Sequence, residues 1–277
     1  MRTSSKAFVA ATLRTLGFAL SFAAAAPAFA DETAPPSDIT VTGAATIASQ
    51  YRFRGVAQSD NKPVVQGTFT IAHKSGFYIS TWGSSASAGN SPINIGGTEI
   101  DVYGGYTHSI GNTGFTIDGG LYGYIYPGAT VGNYWEIYGS LAKTLGPVTA
   151  KVGANFAPAQ KVFNYNFTST HRENLYVYGE LGGAIPGTPL SIHSHLAHTG
   201  GGFDLPKPFF DYNVGVTAKY KNLALDASVV GTNMHQSDFA KSGLCSGAGS
   251  PTAIDVCSNS FYRTTKPVGV VSLTASF

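Results

Sequence analysis

Val270-Val271-Ser272-Leu273-Thr274-Ala275-Ser276-Phe277 closes the sequence as an alternating apolar and polar run that stops on an aromatic residue. Alternation with a period of two is the signature of a β-strand with one face in each environment. Val271, Leu273, Ala275 and Phe277 share a face, the ending that outer-membrane barrels commonly offer to their insertion machinery. Phe277 is therefore read as an assembly signal.

Working back from that strand, turn residues divide the chain into eleven more alternating segments. The twelve expected strands lie near 39–54, 63–73, 76–83, 98–110, 114–126, 133–145, 147–156, 172–184, 189–198, 209–220, 222–231 and 266–277. Short connections at Lys74-Ser75, Gly111-Asn112-Thr113, Gly146, residues 185–188 and Lys221 alternate with longer ones, which run from residues 127–132 up to residues 232–265. An antiparallel barrel puts every second connection on the same side, and bacterial outer-membrane barrels keep periplasmic turns short and outer loops long. A soluble sandwich has no reason to sort its loops this way. The expected fold is all-β, a transmembrane antiparallel up-and-down barrel of about twelve strands with both termini in the periplasm.

The beginning of the chain agrees with export. Arg2, Lys6 and Arg14 precede the apolar run Leu16–Ala26, and Ala28-Phe29-Ala30 supplies small residues for cleavage. The run is too short for a spanning helix and fits a cleaved secretory signal. Residues 1–30 are expected to be removed after Ala30, leaving 31–277 as a single barrel domain in the bacterial outer membrane. Taking three basic residues from the 17 leaves 14 Lys plus Arg against 15 Asp plus Glu, so the mature chain carries −1. That balance gives no electrostatic reason to expect nucleic acid. Only 12% of residues are charged, against about a quarter in soluble domains, while 12% are aromatic and 34 are glycine. Lipid on one side of each strand accepts such a composition.

Period two also sorts the faces. In the first segment Val41, Ala45, Ile47, Tyr51 and Phe53 share one face, and Thr42, Thr46, Gln50, Arg52 and Arg54 share the other. The polar set is expected to line the lumen, because a lipid-facing Arg near the midplane costs about 2–4 kcal/mol. The same rule makes Gln66, Glu99, Asp101, Asp118, Glu136, Lys151, Glu180, His193, His195, Asp211, Lys219 and Asp226 pore-lining candidates. Arg52 and Arg54 are expected to form a basic patch near the outer mouth, facing Glu99 and Asp101 across a narrowed passage. The alternative is that these mixed charges merely satisfy one another, or that a loop folds inward and occludes the barrel.

Other groups point to less. His193 and His195 share a face but His198 falls on the other, so no metal site is expected. Cys245 and Cys257, the two cysteines of the chain, lie in the longest connection and are expected to form a disulfide after export. His171, Glu173, Asp204, His235 and Asp238 come from different loops and carry no motif of a nucleophile, zinc helix or phosphate loop. No catalytic residue and no cofactor are expected.

Tyr51-Arg52-Phe53-Arg54-Gly55-Val56-Ala57-Gln58-Ser59, the Pro63-anchored segment after it, and Gly76-Phe77-Tyr78-Ile79-Ser80-Thr81-Trp82-Gly83-Ser84 together resemble the TorF family of proteobacterial outer-membrane barrels classed as porins. The likeness is sharpest over residues 49–84 and extends loosely to Glu99-x-Asp101-x-Tyr103-Gly104-Gly105-Tyr106. It implies pore activity and carries no catalytic residues across. The expected function is passive diffusion of small hydrophilic solutes or ions. The alternatives are a non-conducting barrel with surface-binding loops and, further off, an enzyme at the outer rim. Expected partners are outer-membrane lipid and lipopolysaccharide, the barrel-insertion machinery and a small solute or ion; a homo-oligomer is as compatible with the sequence as a monomer.

Overall fold

In Tyr134–Leu145, Tyr134, Glu136 and Tyr138 are buried while Trp135, Ile137 and Leu141 are exposed, although the first set is the more polar. Such an inverted pattern is stable only where the exterior is apolar, as around a barrel in lipid. It recurs from strand to strand. The computed structural model describes residues 38–87, 96–129, 132–165 and 170–277, so the expected signal segment, residues 1–30, lies outside the described residues.

Among the described residues the barrel strands are β1 Ile39–Ala48, β4 Val64–His73, β5 Phe77–Ser85, β6 Thr98–Ser109, β7 Phe115–Ile125, β8 Tyr134–Leu145, β9 Val148–Ala157, β10 Asn174–Ala184, β11 Leu190–Gly201, β12 Phe209–Tyr220, β13 Leu223–Thr232 and β14 Val268–Ser276. Each pairs antiparallel with its sequence neighbours, and β1 with β14 completes a closed barrel. The seam aligns Ala44 to Ala48 with Ser276 to Ser272, and beyond it Gly43 and Phe277 exchange backbone hydrogen bonds of 2.8 and 2.9 Å. A side chain at Gly43 would run into the Phe277 ring. The outer surface carries exposed Ile79, Val102, Leu121, Val152, Leu196, Val214 and Leu273 at mid-height. Phe77, Tyr106, Phe115, Tyr220 and Phe277 stand at the short-turn end, and Trp135, Phe156 and Phe210 at the long-loop end. This is the aliphatic band between two aromatic girdles that a bilayer selects.

Two regions differ from expectation. The first strand ends at Ala48 instead of 54, and residues 50–57 leave the wall and fold inward as a small hairpin, β2 Arg52–Phe53 paired with β3 Val56–Ala57. Tyr51 and Phe53, which alternation assigned to the lipid face, are buried and half-buried inside. Alternation persists through a hairpin, so periodicity alone does not mark where the chain leaves the wall. The longest connection holds α1 Gln236–Lys241 and α2 Pro251–Thr265. Ser250 caps α2 by accepting from the Ala253 N–H at 3.2 Å, and Pro251 occupies the first turn, where no amide donor is needed. Cys245 is joined to Cys257 of α2 by a disulfide. Among the described residues no helix is long and apolar enough to cross a membrane.

Candidate functional site

The hairpin crosses the lumen at the long-loop end, and its turn explains how. Arg54 and Gly55 are its two central residues with φ of +48° and +79°, the positive pair that a tight type I′ connection demands. Glycine suits its place: a Cβ at Gly55 would lie 2.8 Å from the Gly231 carbonyl oxygen and 2.9 Å from the Asp211 side chain. Arginine at such a φ costs about 1–3 kcal/mol, and strain of this kind persists only where surrounding contacts over-determine it.

Those contacts surround the Arg54 guanidinium. Its Nη2 donates to both Glu136 carboxylate oxygens at 2.7 Å, with both side chains almost wholly removed from solvent. Glu136 Oε2 also accepts from Tyr124 Oη at 3.2 Å and Asn155 Nδ2 at 3.0 Å. The guanidinium lies 4.1 Å from the Tyr176 ring centroid, 4.8 Å from Phe53 and 5.7 Å from Phe203. Cation–π attraction is strongest in such water-poor surroundings. Arg54 Nη1 has no hydrogen-bond partner among the described residues.

Arg52 acts differently. Its Nη1 donates to the Thr264 carbonyl at 2.6 Å and the Gly55 carbonyl at 3.0 Å, Nη2 to Asn61 Oδ1 at 2.7 Å, and Nε to Gln50 Oε1 at 2.8 Å. A guanidinium at the last carbonyls of α2 satisfies orphan acceptors and complements the helix dipole. The expected confrontation of Arg52 and Arg54 with Glu99 and Asp101 is thus not what the structure contains: Arg54 meets Glu136, and Arg52 meets no carboxylate among the described residues. Sequence reasoning had no way to weigh these partners, because the hairpin carries the arginines away from the strand that was taken to present them.

The remaining candidates all point inward from the wall, but they fall into two groups. On β6 and β7, Glu99 Oε1 accepts from Tyr51 Oη at 3.1 Å, Asp101 Oδ2 from Tyr122 Oη at 2.8 Å, and Asp118 Oδ1 from Tyr78 Oη at 2.8 Å. Among the described residues none of the three has a cationic partner within ion-pair distance. From β9 to β13 charges alternate instead. Lys151 Nζ lies 3.3 Å from Glu180, His195 lies 3.5 Å from Glu180 and 3.4 Å from Asp211, and His193 Nε2 lies 2.7 Å from Asp226. Gln66 bonds Ser84 at 3.3 Å, and Lys219 is half-buried near the short-turn end. His198 points outward against Phe210, and among the described residues no three His, Cys, Asp or Glu side chains form a metal-binding group. At the rim His171 meets Glu173 at 3.1 Å and Asp238 meets Lys207 at 2.7 Å.

Alternation placed the tyrosines without giving them a role. Tyr103 and Tyr122 stack at 4.6 Å, Tyr122 and Tyr124 at 4.6 Å with a tilt, and Tyr124 and Tyr134 stack at 4.3 Å, forming a ladder across β6, β7 and β8. Phe163 and Phe203 extend it into the long loops. Their signal was available as Tyr122-x-Tyr124 and Tyr134-x-Glu136-x-Tyr138, aromatics sharing a face with a carboxylate. The long-loop half of the lumen is consequently filled: Glu99, Glu136, Asn155, Asn174 and Thr199 are completely buried. Toward the short turns, inward residues such as Thr42, Thr46, Asp118, Ser140 and Ser228 are half-exposed. Others at that end, among them Thr149, Ser191, Thr217 and Thr274, are buried.

A family model described as bacterial protein of unknown function, Gcw_chp, matches residues 32–261. The chain belongs to this family. The matches do not name the TorF family, so that likeness stays a resemblance carried by residues 49–84. No curated protein matches the sequence. Among solved structures this Gcw_chp chain is similar to the KdgM porin, with a TM-score of 0.53, 11% identity and coverage of 85% of this chain and 99% of that one. A second structure of that porin, described as in complex with disordered oligogalacturonate, gives 0.51 at 10% identity over 86% and 99%. The NanC porin gives 0.51 at 7% identity over 85% and 99%. At these identities the likeness shows that the Gcw_chp barrel has the fold of outer-membrane porins.

Proposed function

We propose that the protein is an outer-membrane channel for passive diffusion of small hydrophilic solutes or ions, held narrow at its outer mouth by the inward hairpin. The observation that carries this reading is the sorting of the wall, with polar and charged side chains inside all twelve strands and an aliphatic band between aromatic girdles outside. Short turns then face the periplasm together with both termini. The export segment, with cleavage after Ala30, and recognition of Phe277 by the insertion machinery belong to the same reading; deleting Phe277 should lower the amount of heat-modifiable barrel recovered from outer membranes.

Single-channel recording across a planar bilayer tests the channel. Wild-type protein should give small, discrete, salt-dependent steps, and replacing residues 52–57 by a Gly-Ser link should enlarge them. The burial of that hairpin favours one second reading, a non-conducting barrel whose outer loops bind at the cell surface. Silence from both proteins, each folded by its heat-dependent gel mobility, would select it.

A further inference from the structure

We infer that the cradle around Arg54 is a binding site for a small solute carrying a positively charged nitrogen group, occupied in this state by the chain's own hairpin tip. The inference rests on the channel reading above, because a solute reaches the cradle only when the hairpin leaves it.

The geometry is that of a ligand in a site. Glu136 on β8, Tyr176 on β10 and Phe203 in the connection before β12 belong to the wall and its loops, and stay behind if residues 50–57 withdraw. Glu136 is completely buried and is oriented by Tyr124 and Asn155 as well as by Arg54. Removing Arg54 would strand a buried carboxylate, which is strongly unfavourable unless a cation replaces it. The Tyr176 face at 4.1 Å accepts a flat or tetrahedral nitrogen cation equally well. Glu99 and Asp101, which accept from phenols, lie along the neighbouring wall and add no cation to it. An anion would meet the Glu136 carboxylate there, and a neutral sugar would leave it uncompensated. The positive φ at Arg54 makes the self-occupied state the strained one, so that displacement relieves the backbone.

The decisive variant is Arg54→Gly, because glycine is the residue that the turn conformation prefers, so removal of the side chain adds no backbone strain. Wild type and R54G, purified as full-length product from outer membranes, are recorded in planar bilayers with L-arginine and its neutral isostere L-citrulline as probes. R54G should conduct more than wild type and be blocked by arginine at a concentration at least tenfold below that needed for citrulline. Adding Glu136→Gln should erase the difference. Equal block by the two probes, or block that survives in R54G/E136Q, overturns the site.

If both proteins are folded but silent, the channel reading fails and the site is read by calorimetric titration of R54G with L-arginine. Saturable binding lost in R54G/E136Q supports it, and no binding overturns it. Should R54G not assemble, hydrogen exchange of residues 50–57 in wild type decides: faster exchange with arginine than with citrulline supports competition for the cradle, and equal rates refute it.

Discussion

The two walls of the lumen handle charge in opposite ways. From β9 to β13, Lys151, Glu180, His195 and Asp211 alternate across neighbouring strands and His193 meets Asp226, so each charge is used within the wall. On β6 and β7, Glu99, Asp101 and Asp118 are held by tyrosine hydroxyls and meet no cation within ion-pair distance among the described residues. Glu136 on β8 resembles that second group except that the hairpin brings Arg54 to it. A carboxylate closed by its own wall is architecture. One held by phenols has no counter-charge of its own among the described residues.

The largest expected effect breaks the link between walls and hairpin. Glu136→Ala leaves the Arg54 guanidinium buried without a counter-charge, a loss of about 3–5 kcal/mol, measurable as a lower urea midpoint for the barrel in lipid vesicles. Asp118→Asn, which keeps an acceptor for Tyr78, should cost below about 1 kcal/mol in the same assay.

Next in size is the contrast between the walls themselves. A double-mutant cycle of Lys151→Met with Glu180→Gln should give a coupling of about 1 kcal/mol or more, because the two groups touch. The corresponding cycle of Glu99→Gln with Lys151→Met should give coupling near zero. Equal coupling in both would mean that the walls are not distinct.

Smaller in energy but sharper in function is ion selectivity. Asp118→Asn, in the half-exposed part of the lumen, should move the reversal potential in a salt gradient toward the anion, whereas the neutralised pair K151M/E180Q should leave it where it is.

The smallest effect lies outside the walls, in the loops. The hydrogen bond from Arg263 of α2, helped by Lys62, holds the Asp60 carboxyl below the usual aspartate range. With a folded value depressed below the unfolded one, the contact stabilises above the unfolded pKa of about 3.9 and is lost as pH falls through the folded value. Protection of the α2 amides, taken relative to intrinsic exchange rates, should therefore fall on acidification below about pH 4, and Arg263→Gln should flatten that dependence.

How much of this was legible in the sequence follows from what a period of two encodes. It reports which side of a ribbon a residue occupies, and so it located the barrel strands, most of them to within a few residues. It does not report whether the ribbon is still in the wall. Residues 49–54 keep the alternation of β1 while turning into the lumen, and Arg54-Gly55 is a turn whose first residue is not a usual turn former. The Arg54–Glu136 pair spans strands far apart in sequence and follows only from that turn. In the longest connection Ser250-Pro251 is a helix-start signal, but the apolar periodicity after it, among Ser, Asn and Thr, is short. The tyrosine ladder was visible as alternating aromatics; that they stack across strands depends on register, which a single sequence does not state.

The seam between β1 and β14 has a consequence for the order of events in assembly. Because the first strand waits for the last, an unfinished barrel presents two open edges, β1 and whichever strand has arrived most recently, each with a row of unpaired amides and carbonyls ready to pair with another chain. The latch is short, and its final contact is the Phe277 ring seated against the bare backbone of Gly43. The barrel is therefore closed by its final residues, and a nascent chain missing only those few would be an aggregation template.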